Sequence, residues 1–170
     1  MIYRGRLAIV AALSASIILA TPSVAGADVA ITVPAVVNLG AAPTGAGKLS
    51  AQLGTVKVTA TGVVGLLASF TATVSSTNFS TGTGTTAETV PKTSVSYWSG
   101  PMTASSGDQA AVPGQLTALQ ALSLSGPRTA FASSGTVLTI TASWNPTIVV
   151  SIPAAAVAGS YTGTITHSVA

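Results

Sequence analysis

The chain has 170 residues, of which only six are Lys or Arg, three are Asp or Glu and one is His, and it contains no Cys. So few titratable groups leave little from which to build a metal site, a carboxylate pair or a nucleophile with its base, and without Cys there is no disulfide or thiolate chemistry. The formal charge of +3 includes Arg4 and Arg6; from Asp28 onward Lys48, Lys57, Lys92 and Arg128 stand against Asp28, Glu88 and Asp108, a balance of +1. Four scattered cations do not form a face that neutralises several phosphates, so nucleic acid is not an expected partner.

In chain order, MIYRGR precedes an apolar run over residues 7–20 and then TPSVAGA, with small residues at Ala25 and Ala27. This is the pattern of a secretory signal peptide cleaved after Ala27, and its apolar run is shorter than the roughly 20 residues that span a bilayer. The processed chain is thus expected to be a single domain over residues 28–170, secreted, extracellular or wall-associated. No second apolar run of that length and no sorting signal follow. Attachment to a surface is expected to be non-covalent, with no membrane contact after cleavage.

The remainder is rich in Thr, Ser, Val, Ala and Gly, which favour strands and turns over long helices. VAITV after Asp28 reads as a first strand bounded by Pro34. Residues 38–48, with Gly40, Pro43, Gly45 and Gly47, read as a loop. Residues 53–60 alternate Val56, Val58 and Ala60 against Thr55, Lys57 and Thr59, and a turn is expected at residues 62–65. Residues 66–76 group Leu66, Ala68, Phe70, Ala72 and Val74 on a core face. STGTGTT, residues 80–86, reads as a flexible turn.

The strand at residues 89–98 is interrupted by Pro91, with Val95 and Tyr97 on one face and Ser94, Ser96 and Trp98 on the other. Residues 100–114 read as irregular, and residues 116–124 as a short helix or the start of a strand. Residues 136–144 group Leu138, Ile140, Ala142 and Trp144. At the end of the chain two strand-like runs, residues 147–152 and 160–169, fold back on one another across a corner at residues 154–158. In the second, Tyr161, Ile165, His167 and Val169 alternate with Thr162, Thr164, Thr166 and Ser168. The predicted architecture is an all-β antiparallel β-sandwich of eight to ten strands. With no disulfide, burial alone must stabilise it, which a chain of this length supplies by covering roughly 68–70% of its unfolded surface.

The run WNPTIVVSIPA, then AGSYTGTIT, resembles the C-terminal half of the WxL and WxL-like secreted cell-wall-associated domains of Gram-positive bacteria. LGTVKVT, FTATV, Asn78-Phe79 and TVPKTSVSYWSG resemble the N-terminal half. The resemblance implies an Ig-like sandwich and association with the cell wall. The two Trp-x-Leu signatures of the family would fall at Phe70-Thr71-Ala72 and at His167-Ser168-Val169, so this chain lacks both tryptophans and both leucines.

Catalysis finds little support. A Ser-His-Asp arrangement would have to use His167 with Asp28 or Asp108, and no Gly-x-Ser-x-Gly elbow accompanies them. Asp28, Glu88 and Asp108 each sit beside a loop or terminus, where solvated charge is the ordinary state. One His with three carboxylates offers no metal spacing, and the glycines of TGTGTT lack the Lys and helix of a phosphate loop. No enzyme activity, metal or cofactor is expected. The Thr rows are explained by β-propensity without invoking a flat ice-binding array.

Aromatic surface remains. Trp98 shares a face with Ser94 and Ser96 and is followed by Gly100-Pro101, the setting in which an indole can stack on a sugar ring. Trp98, Phe70 and His167 are the candidate ligand-binding residues, the latter two by their place in the family's signatures. Trp144 and Tyr161 are expected in the core, with the Tyr161 hydroxyl bonded to backbone as in a tyrosine corner. The sequence therefore predicts a non-enzymatic cell-surface module that binds a wall polymer such as peptidoglycan or another envelope component. The alternative is a surface subunit that self-associates or binds a partner protein through uncharged edge strands.

Overall fold

The computed structural model describes residues 6–17, 28–45, 47–63 and 67–170, with the backbone alone for residues 6–17. The expected cleavage junction at residues 25–27 lies outside the described residues, as do half of the turn expected at residues 62–65 and the expected core position Leu66. The strands are, in order, β1 (Arg6–Ile17), β2 (Asp28–Thr32), β3 (Val36–Pro43), β4 (Lys48–Gln52), β5 (Val56–Thr61) and β6 (Ser69–Ser76). Two-residue strands β7 (Phe79–Ser80) and β8 (Thr89–Val90) lead to β9 (Val95–Trp98), β10 (Met102–Ser106) and β11 (Gln109–Pro113). The chain ends with β12 (Leu122–Ser123), β13 (Arg128–Gly135), β14 (Thr139–Trp144), β15 (Thr147–Ser151) and β16 (Ser160–Val169). Short 3-10 turns at Thr86–Glu88, Lys92–Ser94 and Ala118–Gln120 are the only helical elements among the described residues.

The protein is all-β, and a curled sheet packs against the others in a sandwich-like arrangement. That sheet runs β11-β13-β6-β16-β1-β3, with β7 and β8 attached beside β16. Two four-stranded sheets, β10-β14-β5-β2 and β12-β9-β15-β4, complete the fold. These two are joined by one bent ladder. Trp144 pairs with Val56 on one side of the bend and Thr147 with Gln52 on the other, while the Leu53 amide donates to the Pro146 carbonyl at 2.8 Å between them. Both chains change sheet there, at Leu53-Gly54-Thr55 and at Asn145-Pro146.

Alternation puts the right residues inside. Val56, Val58 and Ala60, then Phe70, Ala72 and Val74, then Ile140, Ala142 and Trp144, are buried on successive strands. Tyr161, Ile165, His167 and Val169 are buried along β16, and its hydroxyl row is not. Each fully buried Val, Ile or Phe contributes on the order of 1.5–3 kcal/mol relative to exposure.

The pairing differs from the expectation in five places. The last two strands do not form a hairpin, because β15 pairs with β4 and β9 whereas β16 pairs with β6, β7 and β1. Residues 38–43 are strand, and the expected loop is confined to the connection between Pro43 and Lys48: β3 takes in Gly40 by a bulge against β1, where Gly40 adopts φ +100° and its amide is held by Asn38 Oδ1 at 2.9 Å. Residues 100–114 are not irregular, since β10 and β11 cross from one sheet to another around Gly107-Asp108. Residues 80–86 are held by one carboxylate, the Thr83 and Thr85 hydroxyls and the Thr85 amide all donating to Glu88 Oε2 at 2.9–3.1 Å. Finally, β14 starts at Thr139, so Val137 and Leu138 lie exposed before it. With β13 also absent from the expected set, these strands raise the total above eight to ten.

Gly163 is required by space. A Cβ there would stand 2.7 Å from the ring of the fully buried Phe79. Gly163→Ala should therefore overpack the β16–β7 contact and destabilise the protein by about 1–3 kcal/mol. The expected reading is a lower urea midpoint with the transition slope unchanged, and an unchanged midpoint would show that Phe79 moves aside freely.

Candidate functional site

β9 places Val95 and Tyr97 inside and leaves Trp98 half-buried, as the period of two requires. Trp98 pairs with Thr147 of β15, at the strand end nearest the bend. The chain then turns at Ser99-Gly100. Gly100 takes φ +73°, a conformation that side chains disfavour, and its amide donates to the Gln115 carbonyl at 3.0 Å. The Ser99 hydroxyl donates to the same carbonyl at 2.9 Å and accepts the Gln115 amide at 3.1 Å. A Cβ at Gly100 would lie 3.5 Å from the Trp98 ring and 3.7 Å from the Asn145 carbonyl oxygen. The Trp98 ring and the backbone carbonyls of Asn145 and Gln115 thus meet around one glycine.

Two amide oxygens at this corner are unused. Gln115 Nε2 donates to the Thr129 carbonyl at 3.1 Å, but Gln115 Oε1 and Asn145 Oδ1 are buried without a hydrogen-bond partner. A buried acceptor left unmade costs about 1–3 kcal/mol, and neither oxygen is open to solvent. The half-buried Trp98 indole keeps accessible surface, and an accessible indole is the kind of surface that carbohydrate contacts use.

His167 and Phe70 are placed differently. Phe70 is 3% exposed, within the core face of β6. His167 is fully buried, its ring edge-on to Trp144 at 6.5 Å and tilted against Tyr97 at 5.8 Å. Trp144 Nε1 donates to the Tyr97 hydroxyl at 3.3 Å, which leaves the phenol proton for His167 Nε2, also at 3.3 Å. The imidazole proton then belongs on Nδ1, the buried atom with no partner. Phe131 stacks on Trp144 at 4.8 Å with the planes 14° apart, closing the cluster. Neither Phe70 nor His167 presents a face to a ligand here. Only Trp98, of the three candidates, keeps exposed surface.

The remaining titratable groups are scattered. The Asp108 carboxylate accepts from the Thr136 hydroxyl at 2.8 Å, Glu88 closes its own turn, and Asp28 opens β2 opposite Thr61. The Thr85 backbone and hydroxyl hydrogen bonds, with that of Thr83, hold the Glu88 carboxyl below its usual range. Neither Asp28 nor Asp108 is bonded to His167, and no cluster of three or more metal-ligating side chains occurs among the described residues. The Tyr161 hydroxyl lies 3.1 Å from the Ala87 carbonyl and 3.0 Å from that of Val157, the backbone attachment expected of it.

Gln115 and Asn145 carried no signal that local pattern could detect. Gln115 follows Gly114 in a stretch without periodicity, and Asn145 precedes a proline, where a turn explains it fully. No family model matches the chain, and no curated protein matches it. The corner is therefore argued from its own geometry.

Burial pushes His167 down to about 4, from 6.5. Below pH 6.5 the unfolded chain binds a proton that the folded chain refuses until about pH 4. Stability from this group is complete above 6.5 and is lost as the pH falls towards 4. Between those values the wild type should lose about 3 kcal/mol more than His167→Phe, each referred to its own stability at pH 7.5. Urea titrations at stepped pH measure this, and parallel curves for the two proteins would mean that His167 protonates in place.

Proposed function

We propose that the chain is an exported, non-enzymatic cell-surface module that associates non-covalently with a cell-wall polymer such as peptidoglycan, or with another envelope component, through the Trp98 corner. The leader pattern of residues 1–27 and the resemblance to WxL-like domains support the location. The observation that carries the contact is the half-buried Trp98 indole, which keeps accessible surface where Phe70 and His167 are buried. Because Phe70 and His167 are buried, the contact is assigned to Trp98, away from the two signature positions.

A second reading is a surface subunit that self-associates or holds a partner protein by main-chain pairing. The uncharged edge strands β10 and β11 favour it, since neither carries the Lys or Glu that natural edges use to repel other strands. Growth in mass with concentration, measured by light scattering without added polymer, would favour this reading over the first.

The test of the first is co-sedimentation with purified peptidoglycan. Trp98→Ala should lower the retained fraction roughly three- to tenfold, the value of one aromatic contact, while its melting temperature shows that the fold persists. Wild-type retention no greater than that of a charge-matched control protein would remove the proposal.

A further inference from the structure

β16 is paired along both edges. β6 and β7 lie on one side, and β1 lies on the other over ten consecutive residues, in parallel register from Ala8↔Ser160 to Ile17↔Val169. β1 pairs on its far side with β3, antiparallel, from Arg6↔Pro43 to Ala12↔Val36. Among the described strands β1 is the only one that joins β3 to this sheet. A segment with the sequence of a leader is therefore the connecting strand of the largest sheet.

The register is matched by composition. Opposite the buried row of Tyr161, Gly163, Ile165, His167 and Val169 stand Ile9, Ala11, Leu13, Ala15 and Ile17. Opposite Thr162, Thr164, Thr166 and Ser168 stand Val10, Ala12, Ser14 and Ser16. Apolar positions meet the core row, and three of the four positions opposite the Thr row, Ala12, Ser14 and Ser16, are small or hydroxyl-bearing. Removal of β1 would strip ladder partners from a ten-residue strand that contains no Pro, Lys, Arg, Asp or Glu. None of the devices that blunt a natural edge is present.

The space is also selective. A strand lying between two others spans two inter-strand spacings, about 10 Å, and must be free along both edges. An interior strand of a second folded domain is already paired on one edge and cannot pair with both β16 and β3. An extended tail does not.

We infer that the space between β16 and β3 is a strand-acceptor site. Residues 6–17 fill it in cis while the leader is attached. After cleavage it is filled by an extended segment of a different protein chain, uncharged over about ten residues, apolar at alternate positions and parallel to β16. The inference rests on residues 1–27 being a removable leader, and it gives the partner-binding reading its site and its ligand.

The experiment uses the full chain with a protease recognition sequence inserted between Ala20 and Asp28, cut after purification. The probe is a fluorescent synthetic peptide of residues 6–17. The cut protein should take up one peptide per chain by exchange. The uncut protein should take up at least tenfold less, because its tethered strand competes at an effective concentration near millimolar. A peptide carrying Ile9→Asp and Leu13→Asp should bind at least tenfold more weakly than the parent. Absence of uptake, or equal uptake of the two peptides, overturns the acceptor site. Dimerisation of the cut protein after its native strand is washed out makes a second copy the occupant and overturns the foreign-strand assignment. N-terminal sequencing of the exported protein tests the leader separately, so failure of the leader and failure of the site are distinguishable.

Discussion

The hydrogen bond from the Leu53 amide to the Pro146 carbonyl sits where two paired strands leave one sheet and enter another. It carries the pairing of β4 with β15 on into that of β5 with β14, across a bend that the covalent chain crosses twice. Pro146 has no amide to offer, but its carbonyl is free to accept, and the glycine opposite lets the partner chain turn. The bend brings Trp144 and Ile148, on either side of it, into the same buried interior. It also carries Asn145 outward to the Trp98 corner, so the core and the candidate contact surface share one cause.

The core keeps a polar thread. Trp144, Tyr97 and His167 form a chain of hydrogen bonds through a region where every other large side chain is apolar. A buried phenol and imidazole cost several kcal/mol to desolvate, and only partial pairing offsets this. Desolvation raises the Tyr97 hydroxyl and lowers His167, so both are neutral at physiological pH. What the thread adds is direction. Each bond joins a different strand, β14 to β9 and β9 to β16, and those strands belong to three different sheets. A purely oily interior would tolerate sliding between layers, whereas these bonds form in one register alone.

Much of this was legible in the residues. Period-two alternation assigned the inner face of β5, β6, β9 and β16 correctly, because burial acts on each side chain through its own parity. Which strands become neighbours was not legible. Parity is identical whether β16 pairs with β15 or with β6, and the choice is made by residues eighty or more positions apart. Gly40, Pro43, Gly107 and Pro113 were misleading for another reason: they punctuate loops in most settings, yet here they occupy a bulge, strand ends and a crossing. Trp98 could be found from its serine-bearing face. Gln115 and Asn145 could not, since an unmet acceptor is a property of what fails to arrive from elsewhere in the fold.

The low charge of the chain ties these features together. Strands of Thr, Ser, Val and Ala with almost no ions fold well because alternation alone sorts their faces, but the same composition leaves their edges open to any strand of similar pattern. A charged protein would protect itself with Lys or Glu at such edges, and β16 has neither. Protection must then come from occupancy. β1, a strand of small and apolar residues with no charge from Leu7 to Ile17, lies along that edge and satisfies the ladder.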